Sequence, residues 1–409
     1  MVLMCSLSIG GYTAPFYDDG MSIDAFAAIQ KVIFISASAG NDGPLGATLS
    51  NVAPWILTVG TSTHERKIVA TSVLGNGQEY DGELVFHPMD FSHTLLPSVY
   101  PGLLNQEAAL CSSGSLNSAD VKCKIVVCDK GRGHVARLEK WQTVKDAGGT
   151  VMILVNLEID GDSTLADAHV LPATHMGFKS APSATSFSSR GPSLASPGIL
   201  KHYIIGPEVN VLAATHISTE NKTRTDLTFN IVSGTSISCP HLSGIVALLK
   251  SAHPDWSPAT IKSTIMTTSD QFNLEGQPIL DQRDQPTDIF GAGHVNPSKA
   301  NDPGLIYDIQ PQNYIQYLCG LGYTNKKIGL VVQQTIKCSL QSSIPEAKLN
   351  YPSFSIILGL QTQNYTRTVT NVSDASSPYV VNITQMQGVL IVVKPTILVF
   401  TKVNQHATY

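Results

Sequence analysis

The sequence predicts an α/β fold, in which a parallel sheet with helices on both faces is interrupted by a small α+β insert and followed by a partial β-sandwich. The first 60 residues alternate continuous apolar runs with a helical stretch, and residues 84 to about 178 hold short β-rich runs. From Leu349 the chain alternates apolar and polar residues at period two. Strand, helix and strand in succession favour a parallel sheet with right-handed crossovers, whereas period-two alternation is typical of a sandwich.

The first segment shows the order strand, helix, strand, strand. Residues 2–9, 32–37 and 55–59 are apolar runs, and Ser22 can cap the helix between the first two. Continuous apolar runs are typical of strands covered on both faces. Ligands of such sheets bind at the carboxyl ends of the strands, which here are residues 8–11 and 38–41.

The middle of the chain breaks this rhythm. Short β-rich runs at 124–128, 150–155 and 168–171 surround a helical stretch near 135–147, and a helix-rich pattern resumes at 186–192. We expect five segments: residues 1–83 and 181–310 as two parts of one domain, 84–180 as the insert, 311–346 as a linker and 347–409 as the sandwich.

The composition excludes several classes of protein. Charged residues make up 14% of the 409 residues and the net charge is −5, which gives no electrostatic reason to expect nucleic acid. No apolar run reaches the roughly 18 residues that span a bilayer, and residues 1–10 lack the basic start of a signal peptide. No Cys/His spacing suggests a metal, and we expect no cofactor.

The cysteines and the glycosylation sequons are relevant to whether the protein is secreted. The seven cysteines are an odd number, so at least one thiol is left over if the others pair. Four N-x-S/T sequons, which support secretion weakly, begin at Asn221, Asn364, Asn371 and Asn382.

The strongest chemical signal is residues 230–241, which read Asn-Ile-Val-Ser-Gly-Thr-Ser-Ile-Ser-Cys-Pro-His. They predict a strand that ends at Ser233, a tight turn, and a helix that continues to Lys250 with Pro240 in its first turn. A serine at a helix N-terminus has an exposed hydroxyl, an unpaired backbone N–H and a favourable dipole, all of which suit acyl transfer at Ser236. The structural alternative is a capped helix without chemistry.

This string resembles the subtilisin-like serine proteases and, more narrowly, the plant subtilases. Further motifs that carry the resemblance lie at residues 38–44, 187–192, 291–297, 302–308, 314–319 and 349–353. The resemblance implies that the insert is a protease-associated domain and that the tail is a fibronectin-III-like sandwich. It also implies a serine-type endopeptidase that acts on polypeptides.

Carried over by position, Ser236 matches the nucleophile and Asn41 the side-chain donor of the oxyanion hole. Without the family, Asn41 would be interpreted as a turn residue. Two segments match those that flank the substrate backbone, where peptides bind by β-augmentation: Ser8, Ile9 and Gly10, and Ser38, Ala39 and Gly40. Their structural alternative is a pair of strand ends that turn on glycine.

The family's catalytic Asp and His match no position here, because they would precede Ser8. None of the histidines before Ser236 has the family's His-Gly-Thr-His setting, and His64 is expected on the surface of a linker. Since a serine without a base is a weak nucleophile, we expect an N-terminally truncated member with crippled catalysis. Glu208 replaces a family glycine and is expected to strain its turn, and the insert and the sandwich are both expected to be shortened.

Two alternatives compete with the endopeptidase hypothesis. The first is a non-catalytic protein that binds peptides or partners through the cleft and the insert. The second, an esterase of the α/β-hydrolase type, is disfavoured because residues 234–238 lack the second glycine of Gly-x-Ser-x-Gly.

The resemblance implies further properties. It favours disulfides between Cys319 and Cys338 and between Cys111 and Cys128, with Cys123 as a competing partner and Cys239 as a buried free thiol. It also implies a secreted, extracellular or cell-wall protein that binds no nucleic acid, has no membrane span and forms a homodimer through the insert.

Overall fold

The computed structural model describes residues 4–63, 68–85, 95–131, 136–161, 163–167, 171–177, 185, 187–201, 203–214, 229–273, 276–281, 291–356, 359 and 361–409. Its helices are α1 Gly20–Gln30, α2 Gln106–Ala109, α3 Arg137–Asp146, α4 Thr235–Ala252, α5 Pro258–Thr267, α6 Pro297–Asn301, α7 Pro311–Gly320 and α8 Asn325–Val332. Its strands are β1 Met4–Leu7, β2 Phe34–Ser38, β3 Leu57–Ser62, β4 Val69–Val73, β5 Glu79–Glu83, β6 Ser98–Val99, β7 Ile125–Asp129, β8 Val151–Val155, β9 Ala173–Met176, β10 Ile204–Pro207, β11 Val211–Ala214, β12 Phe229–Val232, β13 Leu305–Ile306, β14 Thr368–Asn371, β15 Ser377–Val380, β16 Ile397–Phe400 and β17 His406–Thr408.

A four-stranded parallel sheet in the order β1-β2-β3-β10 organises the first core. Every residue of β2 and β3 is buried, so layers of structure cover both faces of these strands, as the apolar runs predict. Helix α1 connects β1 to β2, and the side chain of Asp19, rather than that of Ser22, caps it by accepting from the Met21 N–H.

Helix α4 packs against all four strands of this sheet. Leu242, Val246 and Leu249 are buried on its inner side, at the spacing of one helix face. This packing fixes the N-terminus of α4 beside the carboxyl ends of β1 and β2.

Residues 69–176 form a second, six-stranded sheet in the order β4-β5-β9-β8-β7-β6. It has its own apolar cluster, centred on Trp141, Val126 and Met152. The separate core agrees with an α+β insert. The predicted boundary at residue 84 is wrong, however, because β4 and β5 precede it and belong to this sheet.

The tail contains short antiparallel pairs. Strand β14 lies between β13 and β17, and β15 pairs with β16. Since β13 comes from the chain before the tail, the tail is joined to the rest by strand pairing.

The prediction of a linker at 311–346 is wrong. The segment contains α7 and α8, and Tyr314, Tyr317 and Val331 are buried in the main core with the parallel sheet. The amphipathic pattern of these helices was the sequence signal that a linker assignment overlooked.

Candidate active site

Ser236 is the second residue of α4 and lies directly after a sharp turn. Gly234 has φ +139°, a backbone conformation that side chains disfavour, so glycine allows β12 to turn into the helix. Among the described residues, no acceptor is bonded to the Ser236 N–H, as expected in the first turn of a helix. The hydroxyl is partly exposed and donates to the Ser8 carbonyl at 3.2 Å.

Pro240 lies in the second turn of α4, not in the first as predicted, since the helix begins at Thr235. Without an N–H, Pro240 cannot bond the carbonyl of Ser236 four residues earlier. The Ser8 hydroxyl donates to that carbonyl instead, at 2.7 Å. Ser8 and Ser236 are therefore linked in both directions.

Asn41 faces the same turn. Its Oδ1 accepts from the Thr235 N–H at 3.0 Å and from the Thr235 hydroxyl at 2.9 Å. Two donors on Oδ1 fix which way the amide points, and Nδ2 has no acceptor within the described part of the chain. Asn41 Nδ2 and the Ser236 N–H are thus both available to an oxygen atom placed in the cleft.

Close packing behind Asn41 holds it in position. A Cβ on Gly40, which has φ +101°, would lie 2.7 Å from the Ser189 hydroxyl. Ser189 also donates its N–H to the Gly40 carbonyl and accepts from the Asp42 N–H through Oγ. The motif at 187–192 therefore supports the loop that carries Asn41.

The segment Ser8 to Gly10 follows β1 and is exposed. Neither the N–H nor the carbonyl of Gly10 has a partner among the described residues. Free backbone groups in an extended segment are what a substrate strand needs for pairing. Gly10 therefore has the free backbone groups that the predicted binding of a substrate strand requires.

Ser38, Ala39 and Gly40 reach the same cleft but differ from that segment. They are buried, the Ala39 N–H donates to the Val59 carbonyl, and the Ala39 carbonyl accepts from Ser50. The predicted strand pairing through Ala39 is therefore wrong because its backbone is already bonded. The segment can form a wall of the cleft.

Asn51 holds the two cleft segments together, and no motif in the sequence predicted this role. Its Nδ2 donates to the Ile9 carbonyl at 2.7 Å and to the Ser38 carbonyl at 2.8 Å, which joins the two cleft segments. It has φ +56°, a conformation that asparagine tolerates better than most residues. An asparagine after Ser50 in a strand-free stretch was its only sequence signal.

These groups line one cleft of about 630 Å³. Ser236, Thr235, Asn41, Gly10, Ser38 and Gly40 all contribute to its surface. The structure thus brings the predicted nucleophile, the predicted oxyanion donor and both predicted segments to one place.

Glu208 does not strain a turn, contrary to the prediction, because its φ is not positive. Its carboxyl group is fully buried beneath the nucleophile turn. Burial raises the pKa of Glu208 well above its ordinary value, and the backbone N–H groups of Gly234 and Ser238 partly offset that rise. Burial therefore favours the uncharged form of this acid.

No histidine is bonded to the Ser236 hydroxyl in the part of the chain that the structure describes. His175 is buried in the insert, bonded to Asn156 Oδ1 at 2.8 Å and to the Leu165 N–H at 3.0 Å, and burial lowers its pKa well below the usual value. His241 is bonded to the Ile237 carbonyl. His64 lies outside the described residues.

Disulfides join Cys111 to Cys128 and Cys319 to Cys338, and the other three cysteines are free. Cys123, the competing partner, is exposed, while Cys239 is buried with its thiol 3.5 Å from the hydroxyls of Ser6 and Ser36.

The sequons differ in accessibility. Asn364 and Asn382 are exposed, and Asn221 lies outside the described residues. Asn371 is fully buried, and its amide donates to the carbonyls of Asp374 and Lys402. The candidate glycosylation site at Asn371 is wrong for the folded domain, because a glycan would displace this packing.

The described residues lack two features. They contain no group of three or more His, Cys, Asp or Glu side chains that could hold a metal ion. None of their helices is long and apolar enough to cross a membrane.

Two solved structures match most of the chain at low identity. A subtilisin-like protease, Apa1, from an Antarctic Pseudoalteromonas covers 73% of this chain, which covers 69% of Apa1, at 14% identity and a TM-score of 0.31. Sphericase covers 72% of this chain, which covers 57% of Sphericase, also at 14% identity, with a TM-score of 0.32.

Comparison with family models and curated sequences is more informative. The model described as the subtilase family matches residues 3–293, and that of a fibronectin type-III domain matches residues 348–409. Subtilisin-like protease SBT1.7 of Arabidopsis thaliana is 41% identical over the whole chain, and SBT1.2 of the same plant is 39% identical over 99% of it. The chain spans 59% and 57% of the length of these two relatives. With a family match over most of its length, this chain belongs to the subtilase family, and a fibronectin type-III segment follows its subtilase part.

Proposed function

We propose that this chain supplies the nucleophile and the oxyanion-stabilising groups of a serine endopeptidase. The observation that carries the proposal is the shared cleft in which the Ser236 hydroxyl, the free Ser236 N–H and the free Asn41 Nδ2 meet. Two donors directed at one point are what the oxyanion of an acyl-transfer intermediate requires.

In this proposal the substrate backbone pairs with Gly10, and its scissile carbonyl lies over Ser236. The Ser236 oxygen attacks the carbonyl carbon, and the Ser236 N–H and Asn41 Nδ2 stabilise the resulting oxyanion. The proton of the hydroxyl must pass to a base. Among the described residues, that hydroxyl donates to the Ser8 carbonyl. A base would therefore have to replace this carbonyl as the acceptor.

A fluorophosphonate probe tests the proposal. We expect Ser236 to be labelled slowly, because no described residue supplies its base, Ser236→Ala to abolish labelling, and Asn41→Ala to slow it further. Ser251→Ala, an exposed serine on the same helix, is the matched control and should label normally. If the chain binds peptides but the probe never labels it, the non-catalytic alternative is favoured and the endopeptidase proposal is refuted.

The finer assignments belong to the same proposal. The separate core of residues 69–176 supports a protease-associated domain. A homodimer through this domain is a further part of the proposal, and light scattering of the chain would test it. Two disulfides and two exposed sequons support a secreted glycoprotein, and glycopeptide and non-reducing peptide mapping of the native protein would test this.

A further inference from the structure

The segment that joins β10 to β11 lies directly beneath the nucleophile turn. The N–H of Asn210, in this segment, donates to the Ser233 hydroxyl at 2.8 Å. The Ser233 hydroxyl is in turn 3.4 Å from Asn210 Oδ1. Ser233 precedes Gly234, so Asn210 holds the residue from which the turn to Ser236 begins.

The side chain of Asn210 faces the insert as well. Its Oδ1 accepts from the Ala166 N–H at 2.7 Å, and its Nδ2 donates to Glu83 Oε2 at 2.6 Å. The same carboxylate oxygen accepts from the Thr164 hydroxyl at 2.9 Å. One buried residue therefore bonds to the insert through its side-chain amide and to the start of the nucleophile turn mainly through its backbone N–H.

The insert loop 163–167 is itself firmly held. The Leu165 N–H donates to buried His175, and Asn156 Nδ2 donates to the Ser163 carbonyl at 3.1 Å. His175 is on β9 and Asn156 directly follows β8, both in the sheet of the insert. The position of the loop is thus set by the insert's own fold.

Asn210 also has a backbone conformation that few residues adopt. Its φ is +57°, and its side chain is almost completely buried. Asparagine tolerates this conformation, and a buried amide is stable only when its polar atoms are bonded. The residue type, the backbone and the partners all suit a fixed bridge.

We propose that Asn210 is a positioning residue that couples the insert to the nucleophile turn, so that displacement of loop 163–167 loosens the turn that carries Ser236. The kinetic consequence of this coupling rests on the proposed function. The mechanical coupling does not.

Hydrogen–deuterium exchange on the full chain tests the coupling. Asn210→Gly keeps the left-handed backbone and the N–H bond to Ser233 but removes the side chain that bonds to the insert, and Thr164→Val removes a hydroxyl on the insert side only. Asn76→Gly is the matched control, because Asn76 lies in an exposed turn away from the bridge and its amide bonds only to Gln78.

We expect Asn210→Gly to speed exchange in peptides covering 229–240 on the order of tenfold, and Thr164→Val by about threefold, since single hydrogen bonds stabilise by amounts of this size. Asn76→Gly should leave these peptides unchanged. If Thr164→Val leaves residues 229–240 at the wild-type rate, the insert does not act on the turn and the proposal fails. A uniform rise across the whole chain in Asn210→Gly would equally overturn it, because that residue would then serve global stability alone.

A kinetic arm keeps the two proposals separable. If the fluorophosphonate labels wild-type Ser236, Asn210→Gly should slow labelling about tenfold at unchanged peptide affinity, and unchanged labelling would overturn the positioning role. If wild type is not labelled, the endopeptidase proposal fails while the exchange measurements still decide the coupling.

Discussion

Replacing Lys262 with methionine is expected to change how the stability of the chain depends on pH. Lys262 is buried on α5, where its ammonium group donates to the Pro54 carbonyl, lies 3.4 Å from the Tyr314 hydroxyl and lies 4.9 Å from the ring of Tyr351. No carboxylate forms an ion pair with it among the described residues. Burial therefore lowers the pKa of Lys262 to about 7.

The number of protons bound in each state decides whether the free energy of unfolding rises or falls with pH. Between pH 7 and 10.5, the unfolded chain holds a proton on Lys262 that the folded chain has lost, so the free energy of unfolding increases with pH. One pKa unit corresponds to about 1.4 kcal/mol, so Lys262 should add about 2 kcal/mol between pH 7 and pH 8.5. Below pH 7 both states are protonated, and Lys262 causes no further change.

Urea unfolding at pH 6, 7 and 8.5 measures this contribution. The difference in unfolding free energy between wild type and Lys262→Met should shift by about 2 kcal/mol from pH 7 to 8.5, while groups that are not coupled to Lys262 cancel in the difference. Lys201 lies nearby, and burial followed by the charge of Lys262 lowers its pKa, so it supplies pH dependence that persists in the variant.

The control is Lys326→Met, at an exposed lysine on α8, which should follow wild type at every pH. Parallel curves for wild type and Lys262→Met would refute the reasoning. They would mean that the folded chain keeps Lys262 charged, held by the Pro54 carbonyl and the tyrosine rings.

Three further predictions concern the site and the tail. If the endopeptidase proposal holds, Asn41→Ala should lower the turnover number roughly 10²–10³-fold with little change in KM, because loss of one oxyanion donor typically costs this much, and steady-state kinetics on a peptide substrate would measure it. Thr235→Val removes one of the two bonds that orient Asn41 and should lower turnover by about tenfold, whereas Thr235→Ser should retain most of it; equal losses in both would show that the hydroxyl does not orient the amide. Asn371→Ala leaves buried carbonyls unbonded and should cost about 1–3 kcal/mol in urea unfolding, while Asn364→Ala at an exposed position should cost almost nothing.

Much of the fold was predictable because its causes are local or periodic. The apolar runs at 2–9, 32–37 and 55–59 locate β1, β2 and β3 because a strand covered on both faces needs apolar residues throughout. Glycine and small polar residues predict where α4 begins. The motifs at 38–44 and 230–241 predict that Ser236 and Asn41 lie in one site.

The predictions fail where a residue's role depends on a distant partner. Residues 8–10 and 38–40 have similar sequences, Ser-Ile-Gly and Ser-Ala-Gly, yet only the second is bonded through its backbone to β3 and Ser50. Glycine near a strand end indicates a turn in both cases. Which segment has free N–H and carbonyl groups depends on neighbours that no periodicity specifies.

Glu208 is another residue whose role depends on distant partners, and it lies next to the turn that carries the candidate nucleophile. A glutamate in place of a family glycine suggests backbone strain, but the structure gives the residue an ordinary φ and buries its acid against the turn that leads to Ser236. A negative charge there would compete for the dipole that α4 offers to an oxyanion, since both lie at the same helix terminus. Because burial favours the protonated form of Glu208, it reduces this competition for the dipole. The environment of one buried acid, which residue type alone does not reveal, thus affects how well the nucleophile turn can stabilise negative charge.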